Sequence, residues 1–240
     1  MIRNFLIFLA FALVCCQPQN AYADVPVESL SIPQSAPYMN LGVPGTAVPS
    51  ASGFTSIYFI GDSLTAGILN RAPAYFPGWT VGMNGVGGRP LNDGMGILAG
   101  TKLPPRTILA MGLFTNDIPT RTWALKKAIR ESIRRVGPNG CVIWSTIYRP
   151  AVGGPSWYGA LPGDATPRPN FPQSALGVDY SRANTIIRTL AKHNRTMRLV
   201  DWDKSLHTWP VPMEDNDVHP ATDEGWERRA AEYATAARSC

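Results

Sequence analysis

Cysteine and histidine are scarce in this chain: 240 residues carry four cysteines and three histidines. Nothing in that set has the spacing of a zinc site, so no metal is expected, and no organic cofactor either. No internal repeat is visible, which leaves out solenoids and propellers. Charged residues make up only 16% of the chain. The most apolar run, residues 5–16, is too short to span a bilayer comfortably. No stable membrane anchor is therefore expected.

That short run nevertheless has a recognisable setting. Arg3 precedes it, and Ala21-Tyr22-Ala23 follows as an A-x-A pattern before Asp24. The combination predicts a secretory signal peptide over 1–23, cleaved after Ala23 and outside the fold. Lipid attachment at Cys16 is the alternative, but Leu13-Val14-Cys15 lacks the small residue expected ahead of a lipidated cysteine. Secretion or periplasmic residence follows, and nucleic-acid binding does not fit an exported chain. Cleavage removes Cys15 and Cys16 and leaves Cys141 and Cys240. They could pair in an oxidising compartment. The reading adopted is two unpaired thiols, Cys141 buried at the head of a strand and Cys240 mobile at the end of the chain. Of the formal net charge of +5, Arg3 carries one unit, leaving +4 after cleavage. Such a balance suits a soluble basic protein, or one drawn to anionic envelope polymers. The cluster Lys126, Lys127, Arg130, Arg134 and Arg135 falls at helical spacing and reads first as a solvated helix face.

Residues 24–53 are rich in Pro, Ser, Gly and Ala without periodicity and read as a leader or linker. From residue 54 to 240 the pattern alternates as one domain. Strands are expected at 57–60, 79–83, 107–113, 141–148 and 197–202. Helices are expected after Ser63 and at 91–98, 123–136, 180–193 and 224–237. A Gly-rich turn, 84–88, follows the second strand. Alternation of this kind implies crossover connections, hence a parallel sheet with helices on both faces and a site at the carboxyl ends of the strands. The segment 149–177, with Pro150, Pro155, Pro162, Pro167, Pro169 and Pro172, breaks the alternation. It is expected to be either a substrate-binding loop, lined by Trp157, Tyr158 and Phe171, or a proline-stiffened surface insertion.

The chemistry centres on Gly61-Asp62-Ser63-Leu64. A serine opening a helix after a buried strand is what capping alone would choose. It is also where a nucleophile could offer its own N–H to an oxyanion. The G-x-S-x-G elbow is absent, because Thr65 occupies the place of its second glycine. A serine nucleophile needs a base. His193 falls on a polar helix side and His207 has no motif around it. His219, in the polar loop Glu214-Asp215-Asn216-Asp217-Val218-His219-Pro220, is the candidate. Gly88 and Asn116, each just past a strand, could donate to an oxyanion, although a turn and a helix cap explain them equally well one at a time.

In this order, Gly61-Asp62-Ser63-Leu64, Gly88, Asn116-Asp117 and His219-Pro220 with Gly225 beyond, the chain resembles the SGNH, or GDSL-type, hydrolases. Gly88-Arg89, Tyr148-Arg149-Pro150, Asn184 and Val200-Asp201-Trp202 are further points of likeness, the last to the SGNH domains of cell-surface O-acetyltransferases. The resemblance covers about 56–237. It implies a flavodoxin-like three-layer α/β/α fold with a five-stranded parallel sheet, Ser63 as nucleophile, His219 as base, and Gly88, Asn116 and the Ser63 N–H as oxyanion donors. Two positions depart from the pattern. Phe114 stands where the family has Gly, and Asn216 stands where it has the acid that orients histidine, flanked by Asp215 and Asp217. An asparagine can orient an imidazole but cannot stabilise its charged form as a carboxylate does. The function expected is hydrolysis of acyl or acetyl esters, on an envelope or extracellular glycan or a small ester. Transfer of the acyl group to a glycan is the alternative, and a catalytically degenerate glycan-binding module is the third reading.

Overall fold

The apolar residues of the first strand alternate by face, and that alternation sets the layers. In the computed structural model, which describes residues 52–149, 180–214 and 218–240, β1 (Ser56–Gly61) sends Ile57 and Phe59 to one side and Ile60 to the other. The same division runs through β3 (Thr107–Gly112) and β4 (Val142–Ser145): Ile108, Ala110 and Ile143 join Ile57, while Leu109, Met111, Val142 and Trp144 join Ile60. With β2 (Thr80–Gly85) and β5 (Met197–Val200) these form one sheet of order β2-β1-β3-β4-β5, every pairing parallel. Strands buried on both faces read as near-continuous apolar runs, as these do. The order reverses direction between β1 and β3, where ligands bind in such folds.

One face is covered by α1 (Ser63–Ala66), α2 (Ala72–Tyr75), α6 (Trp202–Thr208) and α7 (Asp223–Arg238). The other is covered by α3 (Leu91–Gly100), α4 (Thr122–Val136) and α5 (Ser181–His193). The result is the three-layer α/β/α arrangement with five parallel strands. Among the described residues no helix is long and apolar enough to cross a membrane.

Several boundaries differ from the sequence reading. The expected Gly-rich turn at 84–88 begins later, because β2 continues through Asn84 and Gly85 in register with β1. The fourth strand ends at Ser145 and the fifth at Val200. Trp202 is apolar and buried not as part of a strand but as the first residue of α6, whose N-terminus Asp201 caps by accepting from the Lys204 N–H. The two short helices α2 and α6 are missed by a search for periodicity, which needs more than four to seven residues to show itself.

The cysteines are a correction. Cys141 and Cys240 are not free thiols but a disulfide, with Cα atoms 5.9 Å apart across 99 residues of sequence. Packing of α7 along the sheet brings the last residue of the chain to the amino end of β4. Cys240 is buried there, and its carbonyl accepts from the Ser52 hydroxyl. The separation is ordinary for a bonded pair.

Candidate active site

Three strand ends are level. Gly61 pairs with Gly85 on one side and Gly112 on the other, so the loops leaving β1, β2 and β3 start side by side. Ser63, Gly88 and Asn116 lie two, three and four residues beyond those glycines.

The turn that carries Ser63 is held from beneath. The Asp62 N–H donates to the Gly112 carbonyl at 3.0 Å, and Asp62 itself is the N-cap of α1, its carboxylate accepting from the Leu64 N–H at 3.0 Å. Because Asp62 takes the capping role, Ser63 is the first helical residue and its hydroxyl is not spent on the cap. The Ser63 N–H belongs to the first turn, where intrahelical partners are lacking. The Gly61 carbonyl accepts from the Arg89 guanidinium at 3.0 Å and from the Val86 N–H at 3.2 Å. Arg89 is buried and also bonds the Asn84 side chain at 2.6 Å.

The β2 and β3 loops are tied to one another. Gly88 has φ +71°, a left-handed conformation that glycine adopts without a side-chain penalty. Asn116 Nδ2 donates to the Arg89 carbonyl at 3.3 Å, and Asp117 accepts from the Leu91 N–H at 2.8 Å. An amide carries two N–H donors, so Asn116 has a second one for another partner.

Phe114 explains why a glycine suits its position. Its φ is +88°, and apart from Arg106 it is the only non-glycine with positive φ among the described residues. Left-handed backbone costs a side-chain-bearing residue about 1–2 kcal/mol. The ring is fully buried and packs edge-on against Tyr180, centroids 6.2 Å apart. The Tyr180 hydroxyl reaches the carbonyls of Thr115 at 3.0 Å and Asp117 at 2.8 Å, and Arg149 bonds the Thr115 carbonyl at 2.7 Å. Burial and these bonds hold a backbone that the residue type would not choose.

His219 reaches the serine from the far end of the chain. Its Nε2 lies 2.7 Å from Ser63 Oγ, across 156 residues. The His219 loop is pinned by an antiparallel bridge between Met213 and Pro220, with the Glu214 N–H on the His219 carbonyl at 2.8 Å and the Ala221 N–H on the Pro212 carbonyl at 2.9 Å. Trp226 of α7 flanks the imidazole at 6.2 Å, and Glu214 Oε2 lies 3.7 Å from Nδ1. Burial holds the His219 pKa below the ordinary histidine value; Glu214 opposes that, while Arg149 and Arg229 reinforce it. The neutral, proton-accepting imidazole is thus the favoured form at neutral pH.

The site residues named from sequence therefore divide. Ser63 and His219 are in direct contact. Gly88 and Asn116 stand on the adjacent strand ends, joined through the Arg89 carbonyl. Asn216, with Asp215 and Asp217, lies outside the described residues, as does the loop beyond Arg149. His193 and His207 are both exposed, and His207 packs on Tyr148. Sequence reasoning missed Glu214 as the carboxylate near Nδ1, and missed the work of Arg89 and Tyr180. Glu214 stands five residues before His219, and the bridge between Met213 and Pro220 folds it back. Among the described residues no three His, Cys, Asp or Glu side chains group as a metal site.

No protein-family model and no curated protein matches the chain. Solved structures do. The C-terminal catalytic domain of peptidoglycan O-acetyltransferase A from Streptococcus pneumoniae aligns with TM-score 0.53 and 14% identity, covering 76% of this chain and 92% of that one. A lipolytic protein of the G-D-S-L family from Veillonella parvula aligns with TM-score 0.53 and 17% identity over 74% and 94% of the two chains. The lipase/acylhydrolase from Enterococcus faecalis aligns with TM-score 0.53 and 19% identity over 75% and 94%. Parallel strand order, level strand ends and these likenesses agree: the chain has the fold of the SGNH, or GDSL-type, hydrolases that its motifs resemble.

Proposed function

We propose that the protein is a serine-dependent ester hydrolase of the SGNH type. The single observation that carries the reading is the contact between Ser63 Oγ and His219 Nε2 at 2.7 Å. A hydroxyl in hydrogen-bond reach of a neutral imidazole is the arrangement that nucleophilic acyl transfer needs. Ser63 Oγ attacks the ester carbonyl as His219 Nε2 takes its proton. The carbonyl oxygen becomes an oxyanion facing the Ser63 N–H, the Gly88 N–H and Asn116 Nδ2. Collapse breaks the ester C–O bond, and His219 returns the proton to the departing alkoxide. Water then attacks the acyl-serine with His219 again accepting the proton. The acid leaves and the Ser63 hydroxyl is restored. Glu214, two residues before Asn216 in sequence, is the candidate to orient Nδ1.

The relatives in structure are named as lipases, acylhydrolases and an O-acetyltransferase, which is in keeping with ester chemistry for this fold. Export is proposed on the signal-peptide pattern of 1–23, with 24–53 as leader and 54–240 as the catalytic domain. The disulfide Cys141–Cys240 supports an oxidising compartment.

Transfer to a glycan hydroxyl is the second reading, and one surface favours it. Trp123 of α4 is 70% exposed, and Lys126, Lys127 and Arg130 follow it on the exposed helix face. That stripe starts at the carboxyl end of β3, where an anionic glycan could lie alongside the site.

The test is fluorophosphonate labelling and turnover of short-chain aryl esters. Wild-type protein is expected to label and turn over, and Ser63→Ala to do neither. Unchanged turnover in Ser63→Ala overturns the assignment. Acyl-glycan formation when acceptor is added, against free acid alone, separates transfer from hydrolysis.

A further inference from the structure

Beneath the nucleophile lies an arginine that core packing does not require. Arg229 of α7 is only 1% exposed, and its Nε and Nη1 have no hydrogen-bond partner among the described residues. Its guanidinium sits 5.0 Å over the Trp202 ring and 5.6 Å from the Tyr233 ring. Neighbouring buried positions of α7 include Ala230, Ala231, Ala234 and Ala237. An apolar side chain of similar volume at 229 would pack as well, and replacing a buried charge in this way is often neutral or stabilising. Retaining a cation with two unpaired donors therefore calls for a reason.

The geometry supplies one. Gly61 and Gly112 face each other across β1 and β3, and a side chain on either would collide with what lies between. A Cβ at Gly61 would fall 1.8 Å from Thr65 Oγ1. A Cβ at Gly112 would fall 2.5 Å from Thr65 Oγ1, 3.1 Å from the Tyr233 hydroxyl and 3.6 Å from Arg229 Nη2. Polar atoms from α1 and α7 thus converge on a space kept open by two glycines, directly under the turn that carries Ser63. Asp62 belongs to the same turn. It is fully buried, with Oδ1 on the Leu64 N–H.

We propose that Arg229 is a positioning residue: its buried guanidinium keeps Asp62 a carboxylate, and the charged Asp62 holds the cap of α1 and so the place of Ser63. The inference rests on the reading of Ser63 as nucleophile. Its physical content is a balance. Taking a carboxylate out of water disfavours its charge, and a cation in the same low-dielectric space restores it. Burial pushes Asp62 up to about 6, with Arg229 the main charge resisting the rise and the Leu64 N–H and Thr115 also resisting it. Arg89, on the Gly61 carbonyl, is the second cation facing Asp62. Glu232, one turn along α7, is engaged by Ser205 and Arg228. His219 is faced by Glu214, Arg149 and Arg229. A carboxylate accepts the Leu64 N–H more strongly than a neutral acid does, so the cap weakens when Asp62 takes up a proton.

The experiment measures the rate of fluorophosphonate labelling of the whole protein against pH, with melting temperature recorded separately. Arg229→Met is expected to move the acid limb upward by about one pH unit, because both Asp62 and His219 lose a nearby cation. Arg229→Lys is expected to keep the limb near wild type. In an Asp62→Asn background, Arg229→Met is expected to move the limb by less than half as much. An unshifted limb in Arg229→Met overturns the proposal, and an equal shift in the Asp62→Asn background overturns the route through Asp62. Failure of both Arg229→Met and Arg229→Gln to fold, where Arg229→Lys folds, makes the residue structural and overturns it too. Absence of labelling in wild type at every pH defeats the nucleophile reading itself, a result distinct from any of these.

Discussion

The Ser63 turn and the His219 loop meet at one hydrogen bond, yet they are built in opposite ways. The turn of Ser63 is made by its neighbours: a buried strand, an Asp62 cap one residue before it, and backbone bonds to the adjacent strand end. The loop of His219 is made by distance. It returns across 156 residues, pinned by the Met213–Pro220 bridge and flanked by Trp226. Local chemistry can be read from a short stretch of residues. A loop held by a bridge and by a helix packed elsewhere cannot, because its contacts are absent until the sheet is complete.

That contrast can be broken at its joint. His219→Ala removes the proton acceptor and is expected to lower kcat/KM on the order of 10⁴-fold, the scale for loss of a triad member. A loss under tenfold, measured on aryl esters, would mean the contact is not catalytic.

The next largest effect lies on the long-range side. Cys240→Ser opens a covalent closure across 99 residues. It should lower unfolding free energy by about 3–5 kcal/mol in a denaturant titration, while folded protein still labels at Ser63. If stability falls by less than about 1 kcal/mol, the long-range side owes little to the disulfide.

Phe114→Gly probes the near side. Glycine relieves about 1–2 kcal/mol of left-handed strain, but loss of a buried ring costs about 3–5 kcal/mol. The net is a loss of about 2 kcal/mol, with the labelling rate held within a few-fold because Tyr180 still fixes the loop carbonyls. A gain in stability would show that strain, not packing, dominates there.

The smallest effect concerns Glu214, whose side chain is 51% exposed. Burial lowers His219, so the neutral base persists below pH 6.5, the ordinary histidine value, and the acid limb of labelling should fall below that pH. Glu214 pulls in the other direction. Glu214→Gln should therefore shift the limb further toward acid and reduce kcat only a few-fold. An upward shift would mean that Glu214 does not act on the imidazole as a charge.

Much of the fold was legible because its signals are local. The alternation of faces in β1, the all-buried run of β3 and the spacing of α4, α5 and α7 each sit in one contiguous segment. Strands alternating with helices then force parallel pairing, and parallel pairing puts Ser63, Gly88 and Asn116 at one edge. The misses were of another kind. Trp202 read as strand because its burial comes from α7 packing over α6, as the Arg229 guanidinium above it attests. The two cysteines read as separate because their approach depends on where α7 ends against β4.

Residue order alone settled the class of fold, the end of the sheet at which the candidate residues gather and the types of side chain available there, since each follows from periodicity or from a short motif. Tertiary packing decided which carboxylate faces His219 among the described residues, that Phe114 is held in glycine's conformation, that Cys141 is bonded to Cys240, and that a buried arginine, Arg229, lies over the Trp202 ring. Each of those joins groups far apart in sequence or sets a backbone against its own preference. Such terms have no local signature, because only the assembled sheet and helices provide the contacts that outweigh them.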